Sequence, residues 1–309
     1  AEALINAGLE VEGIETLGAG VTGTLVVGRV LEIEELAEFK KPIRWCQVDV
    51  GTQIRGIVCG ATNFAVGDHV VVAQPGVTLP GDFTITSRET YGHISDGMIC
   101  SEREMGLGQD HAGIMILDGV SPGQNASELL GIGEEILDIA VTPDRGYALS
   151  IRGVAREVAT AFEVEFRDPA ISWGPDLGPP ASGLVPHDCV IDDFSTCELL
   201  TLRTILDFNP DAPTPRYMAA RLQACGIRSI SLAVDVTNYV MMELGQPTHA
   251  FDVGKLEGPL RVRRANAGES LETLDHVVRK LSPLDSVIAD STGPIGLAGT
   301  MGGFTTEID

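Results

Sequence analysis

From about Thr24 to Arg88 the apolar residues fall in short runs broken by turn formers. Residues 25–30, 44–50, 54–59, 69–73 and 83–86 have the β-branched, alternating character of strands. Gly51, Gly60, Gly67, Pro75-Gly76 and Pro80-Gly81 lie between them as turn residues. Five strands at near-regular spacing predict a small closed or nearly closed β-barrel. An oligonucleotide-binding (OB) barrel fits that count, as do other small barrels.

The period then changes. Ile151, Val154, Ala155, Val158 and Phe162 recur at helical spacing behind Ser150, a good N-cap, and Pro143-Asp144-Arg145-Gly146 reads as the turn before it. Residues 168–186 are rich in Pro, Gly and Ser without periodicity, which predicts a linker. Beyond it, residues 189–194 and 200–207 look like strands. Thr214-Pro215 opens a helix with the apolar stripe Met218, Leu222, Cys225, and Gly226 closes it. A further helix is expected over 235–244, and strands near 260–264, 277–281 and 286–289. The pattern predicts an α+β multidomain protein, a small β-barrel followed by a mixed α+β domain. The expected divisions are an N-terminal segment 1–22, a barrel module 23–135, a connector 136–186 and a second domain 187–309. No internal repeat is evident.

Charge narrows the function classes. The 309 residues carry 21 Lys+Arg against 44 Asp+Glu, a formal charge of −23. Such a balance argues against a surface that grips phosphates all over, and leaves room for a local basic patch or for nucleic acid held by a partner. Lys40, Lys41 and Arg44 precede a barrel strand, and Arg261, Arg263 and Arg264 lie in a later one, with Arg261 and Arg263 on one face. These are the candidate RNA contacts; solvated surface or intramolecular pairing is the competing reading. With 44% hydrophobic residues and no apolar run near the ~18 needed to span a bilayer, a soluble protein without a membrane role is expected. The first residues lack a secretory signal pattern and an initiating Met, so a cytoplasmic protein with a missing natural start is expected. Six cysteines without a C-x-x-C pair read as inert thiols, and the scattered histidines offer no metal-ligand spacing, so no metal is expected in this segment. Asn125-Ala126-Ser127 matches a glycosylation sequon by chance.

Two stretches can carry chemistry. In the first, Thr237 and Asn238 can orient a hydroxyl or carbonyl, and His249 can exchange a proton near neutral pH. Plainer readings stand beside these: Asp235 or Thr237 as helix caps, Gln246-Pro247 as a helix stop, His249 as a hydrogen-bonded structural residue. In the second, Gly296-Leu297-Ala298-Gly299-Thr300-Met301-Gly302-Gly303 permits close backbone approach to a ligand, or simply a tight turn between two strands. It is neither a P-loop nor a dinucleotide fingerprint.

Taken as motifs, Val236-Thr237-Asn238-Tyr239 with Gly245-Gln246-Pro247-Thr248-His249-Ala250-Phe251-Asp252 resembles the B3/B4 editing-domain signature of the bacterial phenylalanyl-tRNA synthetase β-subunit family. Three more segments agree in order. Ile57-Val58-Cys59-Gly60-Ala61-Thr62-Asn63-Phe64 and Ser95-Asp96-Gly97-Met98-Ile99-Cys100-Ser101-Glu102 resemble its OB-type tRNA-binding module. Val141-Thr142-Pro143-Asp144-Arg145 with Gly153-Val154-Ala155-Arg156-Glu157 resembles its connector. Leu297 to Gly303 resembles the glycine-rich wall of its editing pocket. The resemblance implies an α2β2 ligase that charges tRNA(Phe) with phenylalanine using ATP and Mg2+ at a site on the α subunit, neither bound by this segment. It also implies a β editing domain that hydrolyses tyrosine mischarged onto tRNA(Phe). Thr237, Asn238 and His249 would line that site, with Ala298 and Gly299 from the glycine wall.

There are departures. Glu38-Phe39-Lys40-Lys41-Pro42-Ile43-Arg44 replaces the family's Lys-His-Pro-Asn-Ala-Asp-like loop, and the family's tyrosine-recognising glutamate lies downstream of the wall, where Glu307 is too near to serve. The expectation is an N-terminal piece of a longer β subunit. The competing expectations are a non-catalytic tRNA-binding and assembly module of the same complex, and a free-standing editing hydrolase.

Overall fold

The computed structural model describes residues 1–36, 39, 42–108, 112–172 and 187–308. Lys40, Lys41 and most of the 168–186 linker lie outside them; Pro169–Ser172, at its start, forms one helical turn. The chain divides into two compact units, one of Ala1 with Val11–Ala140, the other of Glu2–Glu10 with Val141–Asp309.

The first unit is built on a six-stranded antiparallel sheet. Its order is Met98–Ile99, His69–Ala73, Val26–Glu35, Arg44–Asp49, Ile54–Cys59, with Ile116–Leu117 also pairing His69–Ala73. The ends of this path approach each other: the Asp96 N–H donates to the Gly56 carbonyl at 2.8 Å, and the Val58 N–H to Ser95 Oγ at 3.0 Å. That makes a nearly closed barrel. Side-chain alternation explains its packing. Val30, Cys46, Val48, Ile57, Val70, Val72 and Ile99 fill the interior. Val71 and Ala73, which alternate with the inward Val70 and Val72, are buried on the outside with Val77, Leu79, Ile85 and Met105. A strand buried on both faces reads as a continuous apolar run, which is what His69–Ala73 shows. The interior is tight at Gly28, where an added Cβ would lie 2.5 Å from Val48 Cγ1 and 2.7 Å from Val72 Cγ2. Burial pushes the Cys46 and Cys100 thiols up to about 12.

Outside the Arg44–Asp49 and Ile54–Cys59 strands lies a hairpin, Arg88–Thr90 with His93–Ser95. His93 stacks on Trp45, ring centroids 4.8 Å apart and planes tilted by 31°.

Two expectations shift here. The first barrel strand runs to Glu35 rather than Val30, because Glu32, Ile33, Glu34 and Glu35 continue its pairing with Gln47, Cys46, Trp45 and Arg44 beyond a bulge. Residues 83–86 do not complete the barrel. Only Phe83–Thr84 is a strand, paired with Thr78–Leu79, while Ile85 turns into the outer cluster. The residues at the closing edge are Met98–Ile99. A separate two-stranded sheet joins Glu10–Thr16 to Glu135–Ala140, a pairing the sequence pattern did not suggest.

In the second unit, Ser150 caps the helix Ile151–Ala161 as expected, its Oγ accepting from the Gly153 N–H at 3.1 Å. Helices Arg216–Ala224 and Leu232–Leu244 pack together, and the latter also meets Ile151–Ala161. A five-stranded sheet has the order Cys189–Ile191, Leu260–Arg264, Ser286–Ala289, Pro294–Leu297, Met301–Gly302, parallel in its first pair and antiparallel thereafter. Its core is the cluster Ala265, Leu271, Leu281, Val287 and Ala289. The strand expected over 200–207 is absent: that stretch is irregular, with Ile205 and Leu206 exposed. Pro215 sits at the N-cap rather than inside the first turn, so the helix starts at Arg216.

Candidate functional site

The glycine-rich stretch is a hairpin. Gly296 faces Gly302 and Leu297 faces Met301 across it. Ala298 and Gly299 form its tip, where the Thr300 N–H reaches the Leu297 carbonyl at 3.0 Å and Gly299 takes φ +70°. The Ala298 N–H donates to the Ser286 carbonyl at 3.0 Å, tying the tip to the neighbouring strand.

His249 sits directly on this hairpin. A Cβ built on Gly302 would fall 2.2 Å from His249 Cε1 and 2.6 Å from Nε2, so a glycine is required for the imidazole to occupy that place. Phe251 holds the ring from another side, edge to face, with centroids 4.5 Å apart. The chain beyond His249 is stitched to the segment beyond the hairpin. The Asp252 N–H donates to the Thr306 carbonyl at 3.3 Å, and Lys255 Nζ to the Glu307 carbonyl at 2.8 Å. The ring keeps an exposed edge, yet partial desolvation by its packing lowers its pKa below the usual 6.5. At pH 7 it is therefore a neutral imidazole able to accept a proton or orient a water.

Thr237 and Asn238 lie mid-helix in Leu232–Leu244, both half-buried. The start of that helix is anchored by Asp235, which is fully buried. Its carboxylate accepts from Thr214 Oγ1 at 2.5 Å, from the Ile230 N–H at 2.9 Å and from Ser229 Oγ. Three donors at the helix N-terminus are what a buried carboxylate needs. Asp235 is thus a clamp on the preceding loop rather than a cap, and Ser231 occupies the N-cap. Thr237 Oγ1 donates to the Val234 carbonyl at 2.7 Å, which leaves its lone pairs available to a ligand. The helix ends at Gly245, in a left-handed conformation, one residue before Gln246-Pro247.

The structure therefore brings His249 onto the hairpin that carries Ala298 and Gly299. Among the described residues no hydrogen bond joins Thr237 or Asn238 to His249; they stand on the helix that leads into the His249 loop. Sequence reasoning missed Gly302 as the seat of the imidazole and Phe251 as its packing partner. The Gly302-Gly303 doublet was the available signal: a Cβ at Gly303 would also clash, 2.5 Å from the Ile295 carbonyl oxygen.

The described basic candidates are all engaged within their own unit. Arg44 bonds Glu35 at 2.7 Å and the Phe64 carbonyl at 2.9 Å. Arg261 forks onto Asp192 at 2.8 and 2.9 Å, and Arg264 bonds Asp193 at 2.9 Å. Arg263 forks onto Glu269 at 2.8 and 2.9 Å, and that bond holds the Glu269 carboxyl down at about 2. Among the described residues, no three His, Cys, Asp or Glu side chains are grouped to hold a metal ion. No helix among them is long and apolar enough to cross a membrane.

Comparison with known proteins agrees with this architecture. A family described as "Putative tRNA binding domain" matches residues 25–125, and one described as "B3/4 domain" matches residues 196–309. The phenylalanine–tRNA ligase β subunit of Thermobifida fusca (strain YX) is 57% identical over 315 residues, covering 100% of this chain and 37% of that protein. The β subunits of Streptomyces avermitilis and Nocardia farcinica are 54% and 51% identical, covering 99% and 98% of this chain and 37% of each relative. The chain thus spans a little over a third of the length of these curated relatives. With half or more of its residues shared along its whole length, and with both domains in order, the chain belongs to the phenylalanine–tRNA ligase β-subunit family, as the part that carries the tRNA-binding and B3/4 domains.

Proposed function

We propose that this chain serves, with an α subunit in an α2β2 ligase, the ATP- and Mg2+-dependent charging of tRNA(Phe) in the cytoplasm, and that its B3/4 unit clears mischarged Tyr-tRNA(Phe) by hydrolysis. Aminoacylation falls to the α subunit, and ATP and Mg2+ act there. In the editing step a water attacks the ester carbonyl, and the bond to the terminal adenosine hydroxyl breaks. Tyrosine and the free tRNA end leave.

The observation that carries this reading is the seating of His249 on the glycine hairpin. Such a hairpin lets an ester approach the main chain closely while an imidazole orients the water. Thr237 and Asn238 position the substrate from the adjoining helix, and Ala298 with Gly299 forms the wall against the aminoacyl group. Discrimination against phenylalanine requires a buried partner for the tyrosine hydroxyl, since hydrogen-bonding sites select far more sharply than apolar ones.

The test is deacylation of Tyr-tRNA(Phe) by the complete ligase carrying Asn238→Ala with His249→Ala. The expected result is a loss of about 100-fold or more in hydrolysis with charging by phenylalanine retained. Unchanged hydrolysis would remove the site assignment. A second reading, a non-catalytic tRNA-binding and assembly module, draws on the absence of a hydrogen bond from Thr237 or Asn238 to His249. It would prevail if the wild-type ligase bound Tyr-tRNA(Phe) and left it intact.

A further inference from the structure

The first unit holds a cavity of about 300 Å³ between the barrel and the excursion that follows His69–Ala73. Val58, Gly60 and Met98 from the barrel line its floor, and Phe83, Arg88 and Tyr91 stand on its outer side. That volume is at the lower end of the ~300–1,000 Å³ typical of ligand sites, so it suits one planar group rather than a helix or a duplex.

Its rim concentrates aromatic surface. Among the described residues of the first unit, the exposed aromatic side chains are Phe39, Phe83 and Tyr91, at 40%, 46% and 45% exposure. Phe83 and Tyr91 line the cavity, and Phe39 packs edge-on against Tyr91 with centroids 4.6 Å apart. Three half-exposed rings at one opening are unexpected in a chain with 5% aromatic residues, because water alone gives no reason to gather them.

Backbone strain points the same way. Tyr91 and Gly92 form the turn of the Arg88–Ser95 hairpin with φ +54° and +79°. Both central positions of such a turn favour Asn, Asp or Gly. A tyrosine at φ +54° is strained, because its Cβ crowds the backbone there. The hairpin alone would be more stable with asparagine there, so the ring has a use that the turn does not supply.

Charge is arranged to match. In the paired strand Arg88 and Thr90 share one face and Glu89 points to the other, opposite Ile94. Arg88 is exposed on the cavity side and, among the described residues, makes no ion pair, unlike Arg44, Arg55, Arg261, Arg263 and Arg264. In a chain of net charge −23, a guanidinium that makes no ion pair among the described residues, beside aromatic faces, matches a ligand with a π-face and an anionic group. An apolar peptide would use the rings and leave Arg88 idle.

We infer that this cavity receives an unpaired RNA nucleobase, stacked between Tyr91 and Phe83, with the adjoining phosphate on Arg88. The inference rests on the RNA-binding reading of this unit and adds to it a site, a single-stranded ligand and the residues that hold it. Base–aromatic stacking is sequence-tolerant, so the site selects flexible, unstacked nucleotides over paired ones.

The experiment uses the whole 309-residue chain, wild type and Tyr91→Asn, with fluorescein-labelled hexauridylate, its abasic counterpart and tRNA(Phe), followed by anisotropy. Asparagine suits the turn, so the variant should melt no lower than wild type while losing the ring. Hexauridylate affinity should fall about tenfold in Tyr91→Asn, and Phe83→Leu should give a loss of the same order. The abasic strand should bind both proteins as weakly as hexauridylate binds the variant. Equal hexauridylate affinity for wild type and both variants, or wild-type binding as tight to the abasic strand, overturns the inference. Binding of tRNA(Phe) without base-dependent binding of hexauridylate overturns it too while leaving the tRNA reading intact. Base-dependent hexauridylate binding without tRNA binding would sustain the cavity and remove that reading instead.

Discussion

Two glycines in different regions meet the same obstacle with different meaning. Gly28 lies in the barrel interior, where a Cβ would strike Val48 and Val72, both fully buried among neighbours with nowhere to go. Gly302 lies on the hairpin of the candidate site, where a Cβ would strike the imidazole of His249, the far end of a side chain on an exposed loop. The barrel has spent its close packing on stability; the site uses an equal closeness to fix one ring in one place. A dense interior resists change because every neighbour is held. A site built from a loop over a glycine yields readily, and what it loses is position.

That contrast can be broken by experiment. The largest effect is expected from Gly302→Ala in the complete ligase. The methyl group displaces the imidazole by an ångström or more, and misplacement of about 1 Å can cost on the order of 100-fold in rate. Deacylation of Tyr-tRNA(Phe) should fall by that order while the melting temperature barely moves; a large drop in melting with activity preserved would reverse the assignment of roles. Gly28→Ala should do the opposite, lowering unfolding free energy by about 1–3 kcal/mol through overpacking and leaving deacylation by the folded ligase unchanged. Denaturant titration checks it.

The smallest effect concerns Glu269, whose carboxyl the Arg263 hydrogen bond holds at about 2 against an ordinary 4.5. A depressed carboxylate stabilises the fold above its unfolded pKa, and that contribution disappears as pH falls from 4.5 through about 2. Glu269→Gln should therefore cost about 1 kcal/mol or less near neutrality, with the difference from wild type vanishing by the acid end of that window. Melting curves across that pH range would show it, and a constant offset at all pH values would count against the ion pair.

The barrel was largely legible because its strands state their own burial. His69–Ala73 is apolar at every position after its first, and it lies inside the sheet with pairing on both edges. Where the reading failed, periodicity had no access to partners. Residues 200–207 have a strand-like composition yet find no edge to pair with, and Phe83 joins a local hairpin instead of the barrel. The candidate site was legible as motifs and illegible as geometry. His249 and Gly302 are far apart in the chain, and no local pattern says that one will rest on the other. Asp235 misled for a similar reason: its position suggests a cap, whereas its bonds to Thr214 and Ser229 depend on how two preceding loops fold back.

The placement of the thiols gives the two units different chemical visibility. Cys46, Cys59 and Cys100 are sealed in the barrel unit and hold their protons tightly, whereas Cys189 in the other unit faces solvent, as does Cys225, though partial burial pushes the Cys225 thiol up too. An alkylating reagent acts on the thiolate and needs access, so it will mark the second unit first, through Cys189, and the barrel only when that unit opens. The slow phase of labelling is then a clock for barrel opening, available without adding any foreign probe to the chain.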